Sequence, residues 1–457
     1  MGEQGEGSTT DVDELDRFEA LLNETAPVVA PEVHRDPVAR RRRIRRVILG
    51  LGIPIALVAA TAGGYVGWAL HAPLPEPEAR AVVTPPVPTT RPADVSLPTS
   101  GAAAVSVSGA EEYLGTDGDE IWQATGGDEA RPIASITKLV TALVVLDAYP
   151  LEPGEPGPSV GFGNADVAIY EDYYVRGAAL RPVQRGAEIP LRDVLATVLI
   201  PSASNYATSV ARWAFGSDAA YARAAAAWLD EHGLTDTRIV DATGLDPRNT
   251  STPSDLLALG KIALAHPVVA EIVATPQLTL DVPGRLVNTN TLLGAEGFTG
   301  LKTGTLTGSG SNLLYSATVS VGIGAPVDIV GVVLGGSTGG AVASSAQRTV
   351  ASLQDGFQRV TPVARGDVIT GYTTSWGGEV DVVVGGGEAL TVWGDTPITA
   401  DLDLRRPVDF VDGEQVGTIT WTAGPATATA ELVVSGTIEP PTDEWRLHNP
   451  LVLLRGD

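Results

Sequence analysis

Residues 131–139 read Arg131-Pro132-Ile133-Ala134-Ser135-Ile136-Thr137-Lys138-Leu139, and the fold turns on what this stretch is. The run from Ile136 to Ala148 is strongly apolar and reads as a buried helix. On a helix, positions i and i+3 share a face, so the Ser135 hydroxyl and the Lys138 amine can meet. A serine hydroxyl is a poor nucleophile at neutral pH and needs an adjacent base. A lysine serves as that base when burial or a nearby cation depresses its pKa. Leu139, Val140, Leu143, Val144 and Leu146 are the residues that would bury it. Alone, Ser-x-x-Lys recurs by chance and reads better as a polar helix start with an exposed lysine.

Two further stretches change that reading. Pro201-Ser202-Ala203-Ser204-Asn205 lies between two helical segments, Leu191 to Leu199 and Ala207 to Phe215. A second serine there can relay a proton to a leaving amine. Gly300-Leu301 leads into Lys302-Thr303-Gly304-Thr305. On a strand edge the lysine offers positive charge to a substrate carboxylate, Thr303 and Thr305 offer hydroxyl donors, and Gly304 lets a substrate backbone come close. The serine-rich loop follows Ser135 by 67 residues, and Lys302 follows Ser202 by 100.

That ordered set of three resembles the motifs of penicillin-binding proteins and serine β-lactamases. More of the chain, from about Ala102 to Val360, resembles the low-molecular-mass D-alanyl-D-alanine carboxypeptidases. Arg131 to Leu139 looks like that family's active-site helix entry. Asp241-Ala242-Thr243-Gly244-Leu245, followed by Ser251-Thr252, resembles its middle segment. Asn288-Thr289-Asn290 resembles the approach to its edge strand.

The resemblance implies a role for each matching position. Ser135 is acylated, Lys138 deprotonates it, and Ser202 helps transfer the proton. Lys302 binds the substrate's terminal carboxylate, with Thr303, Gly304 and Thr305 along the same edge. The backbone N–H of Ser135 and one on the Lys302 strand form an oxyanion hole, each donor contributing about 3–4 kcal/mol. One position departs from the pattern. The family's second motif is Ser-x-Asn, and here Ser204 stands where the amide is expected, with Asn205 one place later. Either Ser204 substitutes for it, or the loop shifts so that Asn205 reaches the site, or this copy is impaired.

The implied activity is a serine-type D-Ala-D-Ala carboxypeptidase acting on peptidoglycan stem peptides, with β-lactams as covalent inhibitors. The alternatives are a membrane-tethered penicillin-binding sensor without turnover, or a β-lactamase, although no Glu-x-x-Leu-Asn stretch lies between Ser202 and Lys302. The implied fold is α/β (α+β): an antiparallel sheet sandwiched by helices plus a helical subdomain, β-lactamase/transpeptidase-like. Independently, Thr252-Pro253-Ser254-Asp255 reads as a helix start, Leu313 to Val321 and Val327 to Leu334 as strands, and Ala343 to Val360 as a last helix.

Outside this body the texture changes. Arg35, Arg40, Arg41, Arg42, Arg43, Arg45 and Arg46 precede Val47 to Leu70, 24 residues without a charge. That length crosses a hydrocarbon core of about 30 Å. The arginines put the N-terminal side in the cytoplasm and the rest of the chain outside the cell membrane. The expected organisation is a disordered tail at 1–46, a transmembrane helix at 47–70, a Pro-rich spacer at 71–98, a catalytic domain at 99–364 and a small all-β domain at 365–457. The last rests on alternating stretches such as Glu379-Val380-Asp381-Val382-Val383-Val384.

With 457 residues, two domains and extra segments are the expectation. The net charge of −25 argues against nucleic-acid binding, which needs clustered Lys and Arg. The chain has no cysteine, so disulfides, thiolate metal sites and cysteine catalysis are excluded. His34, His71, His232, His266 and His448 show no ligand spacing, and neither a metal nor a cofactor is expected.

Overall fold

The computed structural model describes residues 37–115, 120–123 and 126–455. It divides into two units, one spanning Pro77–Glu439 and one made of the chain before and after it.

In the second of these units, helix α1 spans Pro37–His71. Its stretch from Arg40 to His71 is long and apolar enough to cross a membrane, and none of its most apolar window is buried by protein. The helix starts ten residues before the expected 47. Arginine is a good helix former and Pro37 suits a first turn, so the basic cluster joins the helix instead of the tail. The expected tail up to residue 36 lies outside the described residues. The far end of α1 is closed by the C-terminal segment. Tyr65 donates to the Leu447 carbonyl (2.5 Å), and Arg446 donates to the carbonyl of Ala72 (2.9 Å). Ala69, Ala72 and Leu453 bury one another there.

Among the described residues, the larger unit holds two large sheets and four two-stranded ones. Strands β1 (Ala102–Ser108), β2 (Glu120–Gln123), β3 (Phe298–Leu306), β4 (Gly310–Val319) and β5 (Val327–Gly336) form a five-stranded antiparallel sheet in the order β3-β4-β5-β1-β2. Period-two alternation sends neighbouring residues to opposite faces. Ala102, Ala104, Val330, Val332 and Leu334 join one core, and Ala103, Val105, Val107, Ile329 and Val333 join the other. The first core receives helices α2 (Thr137–Ala148), α3 (Leu191–Leu199), α4 (Ser204–Phe215) and α5 (Pro253–Ala265). The opposite face is covered by α6 (Gly339–Gly356) through Val342, Ala346, Val350 and Leu353. The expected sandwich and its helical cluster are both present.

Helix α2 is apolar all round because it is buried all round: every residue from Thr137 to Leu146 is buried. Helix α5 begins as its sequence predicts, with Pro253 in the first turn and Thr252 accepting from the Asp255 N–H (3.2 Å). Helix α6 ends four residues before the expected Val360. Phe357–Val360 instead forms strand β6, paired with Leu390–Trp393 (β7), so tertiary pairing overrides the helical reading of this segment.

The β-rich part is a second antiparallel sheet. It contains β8 (Glu379–Gly387), β9 (Gln415–Ala423) and β10 (Ala426–Ser435), flanked by Val368–Thr373 and Thr399–Leu404. Val380, Val382, Val384, Ile419, Trp421, Leu432 and Val434 fill its core.

The proline-rich segment is extended but is not a free spacer beyond Pro77. Glu78 and Ala79 pair with Thr373 and Tyr372 as an edge strand. The N–H groups of Arg80 and Val83 donate to Gly371 (2.8 Å) and Ile369 (2.7 Å), and Arg80 pairs with Asp381. The Trp421 indole donates to the Pro86 carbonyl (3.0 Å), and the Thr349 hydroxyl donates to the Ser96 carbonyl (2.7 Å). Proline removes donors, but its carbonyls and extended backbone remain available to a neighbouring sheet.

Candidate active site

Ser135 sits where the chain turns sharply into α2. The Ile133 N–H is held by the Asn249 carbonyl (3.0 Å), Ala134 adopts a left-handed φ of 50°, and a single 3-10 turn over Ala134–Ile136 feeds the helix. A non-glycine residue at such a φ is strained and persists only where its surroundings hold it. Two glycines make the surroundings that tight. A Cβ on Gly304 would lie 2.8 Å from the Ile133 carbonyl and 3.1 Å from the Ser135 nitrogen. Gly244 has a φ of 80°, and a Cβ there would fall 1.8 Å from the Ala134 carbonyl. Strand β3 and the 241–249 loop therefore press on the serine's backbone from two directions.

Lys138 lies one helical turn on, fully buried, with its Nζ 2.9 Å from Ser135 Oγ and donating to the Thr243 carbonyl (2.6 Å). Burial holds the amine down at about 7, and the Asp241 carboxylate acts in the opposite sense. At neutral pH a large fraction of Lys138 is thus uncharged, with a lone pair free for the serine proton. The predicted i, i+3 pairing forms.

Ser135 opens into a cavity of about 460 Å³, also lined by Ser202, Thr289, Asn290, Thr303, Gly304 and Thr305. Ser202 has a left-handed φ of 61°, and its buried hydroxyl has no partner among the described residues. An unpartnered buried hydroxyl at a cavity wall is available to a group that enters the cavity. Thr303 Oγ1 meets Thr289 Oγ1 (2.6 Å), which ties strand β3 to the residues before it.

Lys302 differs from the expectation of a cation presented to the cavity. It is only 1% exposed, it lies outside the cavity lining, and its amine donates to the Thr303 carbonyl (3.3 Å). Burial, and then the Lys138 charge, hold it well below the ordinary lysine range.

Asn205 does not reach the site. Its side chain accepts from the Arg181 N–H (3.1 Å) and donates to the Arg181 carbonyl (2.9 Å), so both ends of the amide clamp a neighbouring backbone. Ser204 is buried in the first turn of α4 and is absent from the cavity lining as well. The first turn of the helix directs Asn205 at residue 181, and neither residue lines the cavity. The resemblance at 241–245 gave Asp241 and Thr243 no role of their own. Thr243 acts through its carbonyl, which no side-chain motif reveals, and Asp241 acts through the turn it organises.

Residues 110–338, half of the chain, match the family model described as D-alanyl-D-alanine carboxypeptidase. A D-alanyl-D-alanine endopeptidase of Pseudomonas aeruginosa is 37% identical over 33% of this chain and 45% of its own length. The D-alanyl-D-alanine carboxypeptidase DacC of Escherichia coli is 28% identical over 58% of this chain and 66% of its own. The chain thus spans between about half and two thirds of the length of these curated relatives. Among solved structures, penicillin binding protein 5 from Haemophilus influenzae is similar over 78% of this chain and all of that one, at 19% identity and a TM-score of 0.49. The family match covers Ser135, Lys138, Ser202 and Lys302 alike, and the chain belongs to the D-alanyl-D-alanine carboxypeptidase family.

Proposed function

We propose that this protein is a serine peptidase that acts on D-alanine-terminated peptidoglycan peptides through a Ser135 acyl-enzyme. The observation that carries the reading is the Ser135–Lys138 pair, 2.9 Å apart at the wall of an open cavity, with the lysine held at about 7 by burial. Neutral Lys138 takes the hydroxyl proton as Ser135 Oγ attacks the carbonyl carbon of the D-Ala-D-Ala bond. Charge develops on the carbonyl oxygen and is met by the Ser135 N–H and one N–H of β3. Ser202 passes the proton to the leaving amine, D-alanine departs, and water hydrolyses the ester. Thr303, Gly304 and Thr305 hold the extended peptide along the strand edge. β-Lactams acylate the same serine, and the N-terminal helix tethers the enzyme to the cell membrane with the site outside.

The carboxypeptidase reading requires a cation for the terminal carboxylate. An endopeptidase reading is favoured by the D-alanyl-D-alanine endopeptidase of Pseudomonas aeruginosa, 37% identical over the stretch it shares with this chain. The two readings separate on the full-length protein in detergent, offered a pentapeptide ending in D-Ala-D-Ala and a cross-linked peptide dimer. Release of D-alanine supports the carboxypeptidase, and cleavage of the dimer supports the endopeptidase. Penicillin labelling with neither product supports a non-catalytic sensor, and rapid hydrolysis of a chromogenic cephalosporin supports a β-lactamase.

A further inference from the structure

The chain lacks the side-chain amide that its second motif is expected to aim at the lysine, yet the lysine is not left loose. Lys138 Nζ donates to the Thr243 carbonyl at 2.6 Å, among the shortest contacts in the site. That carbonyl has a fixed position because of one carboxylate. Asp241 Oδ1 accepts from the Thr243 N–H (2.6 Å), the Thr243 hydroxyl (2.7 Å) and the Gly244 N–H (2.8 Å). Its other oxygen accepts from the Asp246 N–H (2.9 Å) and the Asn249 amide (3.1 Å). Asn249 in turn accepts from the Val240 N–H (2.8 Å) and the Asp241 N–H (3.2 Å) through its own oxygen. Five donors on one half-buried carboxylate make a closed cage, stronger than a neutral turn because each bond is charge-assisted. The cage also presses Gly244 against the Ala134 carbonyl, next to the nucleophile.

We propose that Asp241 is a positioning residue for the lysine base: its carboxylate organises the 241–249 loop so that the Thr243 carbonyl grips Lys138, in place of the amide missing at position 204. A carbonyl only accepts, so it takes one amine hydrogen whether Lys138 is charged or neutral. With that hydrogen fixed, the rest of the amine faces Ser135. The charge of Asp241 adds to this, because among the described residues it is the acid that acts on Lys138 against the effect of burial. Among the described residues, Lys302 of β3 also feels the Lys138 charge, and the Tyr221 hydroxyl meets Thr141 (2.7 Å) on the next turn of α2. Burial pushes the Tyr221 phenol up, so it stays neutral across the range in which Lys138 titrates.

The inference rests on the reading of Lys138 as the base, and the test separates the two. The rate of acylation by a fluorescent penicillin is measured against pH for the full-length protein, Asp241→Asn and Asp241→Ser. The asparagine keeps one acceptor oxygen, and the serine hydroxyl can accept the same Thr243 N–H if the asparagine variant fails to fold. Acylation by the unchanged protein rises with pH as Lys138 loses its proton near 7. In the variants the limb is expected to move down by about half a pH unit or more, because the acid that favours the charged amine is gone. The plateau rate is expected to fall about tenfold as the grip of Thr243 loosens. A merely structural role lowers the plateau and leaves the limb in place, so a limb at or above its original pH in the folded variants overturns the inference. An unchanged protein that takes up no penicillin overturns the reading of the base itself.

Discussion

Lys138 has no exposed surface, and nothing in its shell is an acid in direct contact. A lysine in such a place destabilises the fold, because the chain loses the free energy that the same amine has when hydrated and charged in the unfolded state. The sign follows from the pKa. Its folded value, about 7, lies below the ordinary 10.5, so the penalty is full at low pH and shrinks as pH rises through that interval. Lys138→Met is therefore expected to abolish acylation while raising the melting temperature at pH 7 by about 3 °C or more, read by calorimetry on the same samples. A variant that melts lower would mean that the amine stabilises the fold and is not held there for chemistry. The sequence made the Ser135–Lys138 pair legible, because spacing on a helix sets which side chains meet. It left the direction of Asn205 open, because a one-place offset at a helix start changes the face, and only the Arg181 backbone decides it.

Helices and strands were legible wherever burial follows a period. The all-apolar α2, the apolar run of β5, the capped start of α5 and the alternation in β8 each translate directly into packing. Loops were not, since their contacts are made by backbone carbonyls and N–H groups common to every residue. Strand β3 and the start of α2 meet at Gly304, and that junction sets the site at the level of elements. Gly304→Ala would place a carbon 2.8 Å from the Ile133 carbonyl, so β3 must retreat from Ser135. The expected result is a fall in acylation rate of about 100-fold or more, with circular dichroism little changed. An acylation rate within about threefold of the original would show that β3 does not help to build the site.

In the whole molecule, the segment after Pro77 ties parts of the larger unit together instead of serving as slack. It adds an edge strand to the C-terminal sheet and then bonds to Trp421, Gln358 and Thr349 in turn. Hydrogen exchange tests this on the intact protein: the amides of Arg80 and Val83, bonded to Gly371 and Ile369, are expected to exchange at least about 100-fold more slowly than an unstructured chain. Exchange at the unstructured rate would restore the free spacer that the prolines suggest. Within the larger unit, the proposed chemistry rests on Ser135. The most direct measurement is intact-mass analysis of the full-length protein and of Ser135→Ala after exposure to penicillin. The account predicts one added penicillin on the unchanged protein, located by peptide mapping at Ser135, and none on the variant. An unlabelled parent protein, or a variant that still gains the mass, would contradict it.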